Sequence, residues 1–405
     1  MKVLVAHNYY QQSGGEDATC EQECKLLERK GHQVVFYRRS NQEIEGLTGW
    51  RRVRLSADTV WNKGSRQEFL RLLKGERPDI VHVHNTFVVM SPSIFSACEE
   101  AGVPVVQTVQ NYRLFCAAAT FFRDGKICEE CMHHGLWRGV QHACYHRSRS
   151  ATAVVALLIA VNRRRGTWPG KVGRIIAVTQ FSRRKMVEAG LPEKQVVVKP
   201  NFVYPDPGEG RKSRDYALFV GRLAPEKRVS TLLAAWSRLR QPVPLLVVGG
   251  GPEREALEEQ ARRYHLANVQ FLGQLPRAKT IETIQAARFL VFPSEWYEGF
   301  PVTICEAFAC GTPVICSRLG AMEEVVDHGR TGFHFVPGHS EELAERAAWA
   351  WEHPTDMRIM GQEARREFEA KYTAESNYPI LMEIYEQARA GRGSGTVRDT
   401  VAITS

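Results

Sequence analysis

Short apolar runs recur along the chain, each followed by a turn-former and then by a mixed stretch with apolar positions three and four apart. Residues 1–7, 34–38, 80–84, 104–109, 174–179 and 196–198 read as buried strands of a first half. In the second half the runs at 217–221, 244–248, 269–273, 289–292, 314–316, 322–326 and 332–336 read the same way. Between them, helices are predicted over 18–30, 150–165, 229–240, 281–287, 301–310, 341–352, 356–370 and 376–389, and from the turn at 252 to about 263. Another helix contains 183–189, with Ser182 as its cap, while 41–65 is less regular. Strands alternating with helices imply parallel sheets in an α/β chain. There is no internal repeat and no coiled-coil heptad.

The 405 residues suffice for two such units, each with its own core. The stretch 204–215, YPDPGEGRKSRD, is rich in Pro, Gly and charge and reads as the linker, entered through 199–203, KPNFV. No apolar run of about 18 residues is present, so no transmembrane helix is expected. Lys2 is followed at once by a strand, which leaves no signal peptide. The expected location is therefore cytoplasmic, with the ten cysteines as thiols.

Charge divides unevenly. Residues 1–200 hold 30 Lys/Arg against 18 Asp/Glu, and the remainder holds 24 against 27. The basic half suits an anionic partner such as an acidic lipid surface or a lipid pyrophosphate. No nucleic-acid recognition motif accompanies it, so nucleic acid is not expected. An ordinary basic surface remains the alternative. The mainly apolar helix over 150–165 ends in Arg163–Arg165, which suits either a core helix with a solvated end or a membrane-facing one.

The chemistry concentrates in residues 293–316, PSEWYEGFPVTICEAFACGTPVIC. Pro301 suits a first helical position, and Gly311 with Pro313 ends the helix. Glu298 precedes the helix and Glu306 lies more than a turn inside it. The free N–H groups of the first turn can hold a phosphate, and a carboxylate on each side can accept hydroxyl hydrogen bonds. That is chemistry for a phosphorylated polyol; solvated loop and helix carboxylates are the alternative. Arg222 and Lys227, in GRLAPEK after the strand at 217–221, offer a planar fork and a point charge to phosphate. Gly14 and Gly15 form a turn that can approach phosphate closely. The Gly249–Gly251 turn is not G-x-G-x-x-G, so dinucleotide binding is not indicated. His82 and His84 share a strand face, which suits polar groups near a strand end better than a metal pair. Cys116, Cys128, Cys131 and Cys144 contain a C-x2-C spacing and suit either a structural zinc or free thiols.

The string E-G-F-P-x-x-x-x-E followed by A-x-x-C-G-T-P-V-I resembles the E-x7-E element of the family 4 retaining glycosyltransferases, and GRLAPEK matches that family's donor-phosphate motif. The resemblance implies the GT-B fold: two Rossmann-like domains with parallel sheets facing across a cleft. Residues 1–203 would be the acceptor domain, with a Cys-rich insertion at about 116–144, and 204–375 the donor domain. A helix at 376–390 would cross back to the first domain, and 391–405 would be a disordered tail. The implied activity is transfer of a sugar from a UDP- or GDP-sugar to an acceptor hydroxyl with retention, without a catalytic metal, in polysaccharide or lipid-linked glycan synthesis. The acceptor would be a glycan or lipid-linked glycan, with peripheral contact at the inner face of the membrane. Arg222 and Lys227 would hold the diphosphate, Glu306 the ribose hydroxyls and Glu298 the sugar hydroxyls. The amides of Gly299, Phe300, Val302 and Thr303 would complete the cradle, with Gly14 and Gly15 over the phosphates and Gln274 and Leu275 beside the base. The chain departs from the family at Gln110, where relatives often carry His. Glutamine cannot act as a general base, though it can orient a hydroxyl. A GT-B epimerase, a non-catalytic nucleotide-sugar binder and a membrane scaffold built on the basic half are the alternative readings.

Overall fold

The computed structural model describes residues 1–11, 14–210 and 215–393. Two six-stranded sheets organise it, each wholly parallel and sandwiched by helices. The first runs Gln33–Ser40, Lys2–Tyr9, Ile80–Val83, Val105–Val109, Arg174–Ala177, Val196–Val198 in spatial order. The second runs Val269–Gly273, Leu245–Val248, Ala217–Val220, Phe289–Phe292, Val314–Ser317, Gly332–Phe335. Their near-continuous burial explains why the strands read as unbroken apolar runs.

In each sheet the strand order reverses beside its first strand. Helices leave that point toward opposite faces and open a crevice at the strands' carboxyl ends. In the second sheet the reversal lies between Ala217–Val220 and Phe289–Phe292. The loops leaving those two strands are the ones that carry Arg222 and Lys227, and Glu298.

The helix Ala374–Gly393 returns to the first sheet. Leu381, Ile384, Tyr385 and Ala388 pack there with Val3, Val5, Ile80, Val106 and Ile176. It begins earlier than the predicted 376 and includes 391–393, which were expected to be disordered. The rest of that tail lies outside the described residues.

Other expectations change as well. The stretch 41–65 contains a short turn of helix at Asn41–Ile44, the helix Gly49–Val60 and the start of Lys63–Glu76, capped by the Asn62 side chain. Trp50 and Val53 face outward, so the apolar period that would have revealed the helix is broken. Residues 321–325 are a helix, Ala321–Val325, and not a strand; two apolar pairs around Glu323 and Glu324 fit either period. The cap of Gln180–Glu188 is Thr179, whose Oγ1 accepts from Ser182 N at 3.0 Å while the Ser182 hydroxyl accepts from Thr179 N. Pro301 is the residue before the helix Val302–Ala309 rather than its first residue.

The two units touch directly. Glu324 accepts from the Gln180 and Phe181 amides at 2.8 and 2.7 Å, placing a carboxylate on a helix N-terminus of the other unit. Arg228 donates to Gly125 O at 2.7 Å, and Tyr112 to Glu298 O at 3.3 Å. Among the described residues no helix is long and apolar enough to cross a membrane.

Candidate active site

Lys227 ends a short turn, Pro225–Lys227, directly after the strand Ala217–Val220. Two backbone bonds seat the loop on its neighbour: Gly221 N to Val248 O at 3.0 Å and Leu223 N to Gly250 O at 2.9 Å. Gly249 permits this, because a Cβ there would meet Gly221 O at 1.9 Å and its φ is +138°. The glycine turn that is not a dinucleotide fingerprint thus supports the cationic loop.

The structure brings Lys227 and Glu298 together. Lys227 Nζ lies 2.6 Å from Glu298 Oε1, which also accepts from Trp296 Nε1 at 2.7 Å. The ammonium sits 5.0 and 5.6 Å from the Phe292 and Trp296 ring centres. Glu298 is 6% exposed, so this is an enclosed ion pair and not a solvated loop carboxylate. Trp296 was not singled out from the sequence. It lies two residues before Glu298 in the same loop, close enough in the chain for its indole N–H to reach the carboxylate.

The other predicted residues are placed differently. Arg222 is mostly exposed and pairs with Glu226 at 2.5 Å. Glu306 pairs with Arg277 at 3.2 Å; burial pushes its carboxyl up, and Arg277 opposes that. Arg277 begins the helix Arg277–Gln285, just after exposed Gln274 and half-buried Leu275. Arg277 was not singled out from the sequence. Val302 and Thr303 open the helix Val302–Ala309, and Phe300 packs edge-on against Tyr372.

Across the cleft, Gln110 and Asn201 exchange side-chain hydrogen bonds at 3.0 and 2.9 Å. The backbone oxygen of Gln110 presses on Gly299, where a Cβ would come to 2.1 Å. Only glycine lets the two halves meet here. Gly14 precedes the helix Gly15–Arg29, which starts three residues before the predicted 18. Its N–H donates to Asp17 Oδ2 at 3.2 Å, and Asp17 is held by buried His7 at 2.7 Å. A Cβ on Gly14 or Gly15 would meet nothing within 4 Å, so the pair faces open space. Glu16 accepts from Asn111 and Tyr10 at 3.1 and 2.9 Å; its enclosure pushes the carboxyl up.

His82 and His84 stack at 4.4 Å, on one face as expected. Their partner is Glu23, at 2.9 and 3.3 Å, whose other oxygen pairs with Lys199 at 2.8 Å. Lys199 also donates to Asn377, and His82 bonds Tyr385 and Thr108. Burial alone would raise the Glu23 carboxyl, but Lys199, His82 and His84 outweigh it and hold it well below the usual range. This network joins the linker and the returning helix to the first sheet. Glu23, Lys199 and Asn377 are scattered over the sequence, and nothing local ties them to the two histidines.

The four cysteines gather in one module of two-residue strands and helices of four or five residues. Burial pushes Cys131 up to about 11, with Cys116 and Cys144 adding to it. Cys144 is raised as well, by burial and then by Cys116, with Cys128 contributing. Among the described residues, the donor sets closing to within 4.8 Å are Glu23–His82–His84 and Glu129–His133–Glu188. A zinc would have to draw the four sulphurs closer together.

Residues 14–201 match the Glycosyl transferase 4-like domain, and 206–367 match Glycosyl transferases group 1. D-rhamnosyltransferase WbpZ of Pseudomonas aeruginosa is 32% identical over 161 residues, which are 39% of this chain and 42% of that protein. The chain therefore spans less than half of WbpZ. Glycogen synthase of Mycobacterium tuberculosis is 27% identical over 335 residues, 81% of this chain and 73% of that protein. The crystal structure of HepE from Anabaena in complex with UDP superposes with a TM-score of 0.67 at 19% identity, covering 95% of this chain and all of that one.

Proposed function

The chain belongs to the glycosyl transferases group 1 family and has the GT-B fold, and from that premise we propose a retaining transfer of a sugar from a nucleotide-diphosphate-sugar to an acceptor hydroxyl. The observation that carries this reading is the enclosed Lys227–Glu298 pair at the switch point of the second sheet. A diphosphate at the mouth of Val302–Ala309 takes Lys227 as its counter-ion, and Arg222 leaves Glu226 to reach the same oxygens. Glu298, released from Lys227, then accepts hydroxyls of the sugar. Glu306 accepts from the ribose, with Arg277 beside it. The amides of Gly299, Phe300, Val302 and Thr303 close the cradle; Pro301 has none to give. Gly14 and Gly15 border it across the cleft.

Both cations stabilise negative charge growing on the departing diphosphate. The Gln110–Asn201 pair leaves one amide N–H on each side chain to orient a hydroxyl, and neither amide can take its proton. The family resemblance implies that the departing phosphate oxygen takes that proton, as a retaining transfer would have it. UDP is the nucleotide of the HepE complex, and we extend it here as the first candidate, with GDP second. The acceptor is a glycan or lipid-linked glycan, handled at the cytoplasmic face of a membrane.

The test is incubation of full-length protein with UDP- and GDP-sugars, followed by proton NMR of the anomeric signal. We expect slow donor hydrolysis or transfer that keeps the donor's configuration. Inverted product overturns retention. Isomerised donor identifies an epimerase, and unchanged donor despite nucleotide binding identifies a binder.

The cysteine module carries a smaller proposal. Its elements are too short to bury much core, and one structural zinc on Cys116, Cys128, Cys131 and Cys144 would hold it together. Metal analysis of protein purified without chelator should find about one zinc per chain. A folded, metal-free preparation in which all four thiols react overturns it.

A further inference from the structure

The helices Gly49–Val60 and Arg149–Arg164 lie side by side, running in the same sense. Asn162 Nδ2 reaches Val60 O at 3.4 Å, and the Arg165 guanidinium stacks on Trp61 at 4.0 Å. Farther toward their N-termini they part around a groove of about 440 Å³, a volume within the usual range for ligand sites. Its walls are largely apolar: Leu47, Leu55, Val88, Tyr145, Val154 and Val155. One end lies on the side of the cleft, where Gln11, just ahead of the glycine pair, and Phe87 line it.

A cation stands just beyond that end, behind two of the rings that line it. The Arg113 guanidinium stacks on Phe87 at 4.0 Å and on Tyr145 at 5.4 Å, and its Nε is buried without a hydrogen-bond partner. Phe87 lines both the groove and the small cavity that Gln110 and Arg113 line on the cleft side, so Arg113 stands between the groove's end and the cleft. The outer surfaces of the same two helices expose Trp50, Val53 and Leu157, at 67, 72 and 54%, among exposed Arg51, Arg54, Arg149 and Arg164. Exposed indole and aliphatic groups set among arginines are the pattern of a surface that lies on an anionic bilayer.

We propose that this groove seats the hydrocarbon chain of an acceptor whose sugar is joined to lipid through phosphate, with Arg113 on the phosphate and the sugar in the cleft. This rests on the transfer reading above and gives its acceptor a chemical class. An apolar channel with a cation at the cleft end matches a molecule that is apolar, then anionic, then polar along its length. The arginine-rich outer faces place the groove where such a molecule is found.

The probe is farnesyl diphosphate, titrated by calorimetry into full-length protein saturated with UDP or GDP so that the donor diphosphate site is filled. Methyl diphosphate and farnesol serve as comparisons. We expect farnesyl diphosphate to bind at least tenfold more tightly than either. Ala151→Trp, which fills the groove, and Leu55→Asp, which makes it polar, should each abolish that advantage. Arg113→Gln should bring farnesyl diphosphate down to the level of farnesol. Equal binding of farnesol to the unaltered protein reduces the groove to a bare apolar patch and overturns the proposal. So does an absent advantage, or one that survives Ala151→Trp. The thermal shift produced by the nucleotide should be the same in every variant; its loss in the unaltered protein counts against the donor reading alone.

Discussion

Lys227→Ala lowers the turnover of sugar transfer by about a hundred- to a thousandfold, the range seen when one preorganised donor to a developing oxyanion is removed. The ammonium lies where a departing diphosphate gathers charge, and it is enclosed by two aromatic rings, so water replaces it poorly. The fold should survive. Glu298 keeps the Trp296 N–H as a partner, and the loop is held by backbone bonds to Val248 and Gly250 that the substitution does not touch. The measurement is turnover at saturating donor, beside a melting curve for the same preparation. Glu298→Gln should cost activity too while keeping its neutral hydrogen bond to Trp296. Near-normal turnover of a well-folded Lys227→Ala protein would remove the central role given to this pair.

Lys199→Met destabilises the protein by about 3–5 kcal/mol, the usual cost of leaving a buried charge without its partner. Lys199 and Glu23 are each almost completely buried and meet at 2.8 Å. Adding Glu23→Gln should restore part of the loss, because the uncompensated carboxylate is then gone and the two effects are not additive. Denaturant titration of the two single variants and the double variant measures this; strictly additive losses would show that the pair is not coupled.

The same network sets an acid limit. Burial, with His82 nearby, lowers His84 to about 3, so the folded state resists a proton that the unfolded chain accepts near its ordinary value of about 6.5. Between those values the unfolded chain binds more protons, and stability falls as pH drops from about 6.5 toward 3. Glu23, depressed in the fold, adds to the loss once pH falls below its unfolded value of about 4.3. Unfolding free energy followed from pH 7.5 to 4.5 should therefore decline, and less steeply in a His84→Asn variant that folds. A rise in stability over that window would contradict the arrangement.

The parallel sheets were legible because strands buried on both faces spell themselves as apolar runs. Val3–Ala6, Ile80–Val83 and Phe289–Phe292 needed no partner to be recognised. The loop that carries Glu298 was legible because backbone demands and charge sit in one short string: a glycine, a proline and two carboxylates around a helix start. The helix Gly49–Val60 was lost because its apolar residues are divided between core and solvent. The helix Ala321–Val325 was lost because five residues do not fix a period.

By itself, then, the order of residues determined the α/β class, the two-unit organisation and the loops that carry Lys227 and Glu298, since each of these is a local matter of period, turn or charge. Tertiary structure alone decided which charges meet. Lys227 finds Glu298 and not open solvent, Arg222 turns to Glu226, Glu306 acquires Arg277, and Gln110 is tied to Asn201. Glu23 collects two histidines and a lysine from strands and a linker far from it in the chain. The physical reason is that an ion pair's strength depends on distance and on exclusion of water, and both exist only once the sheets have stacked and the halves have closed.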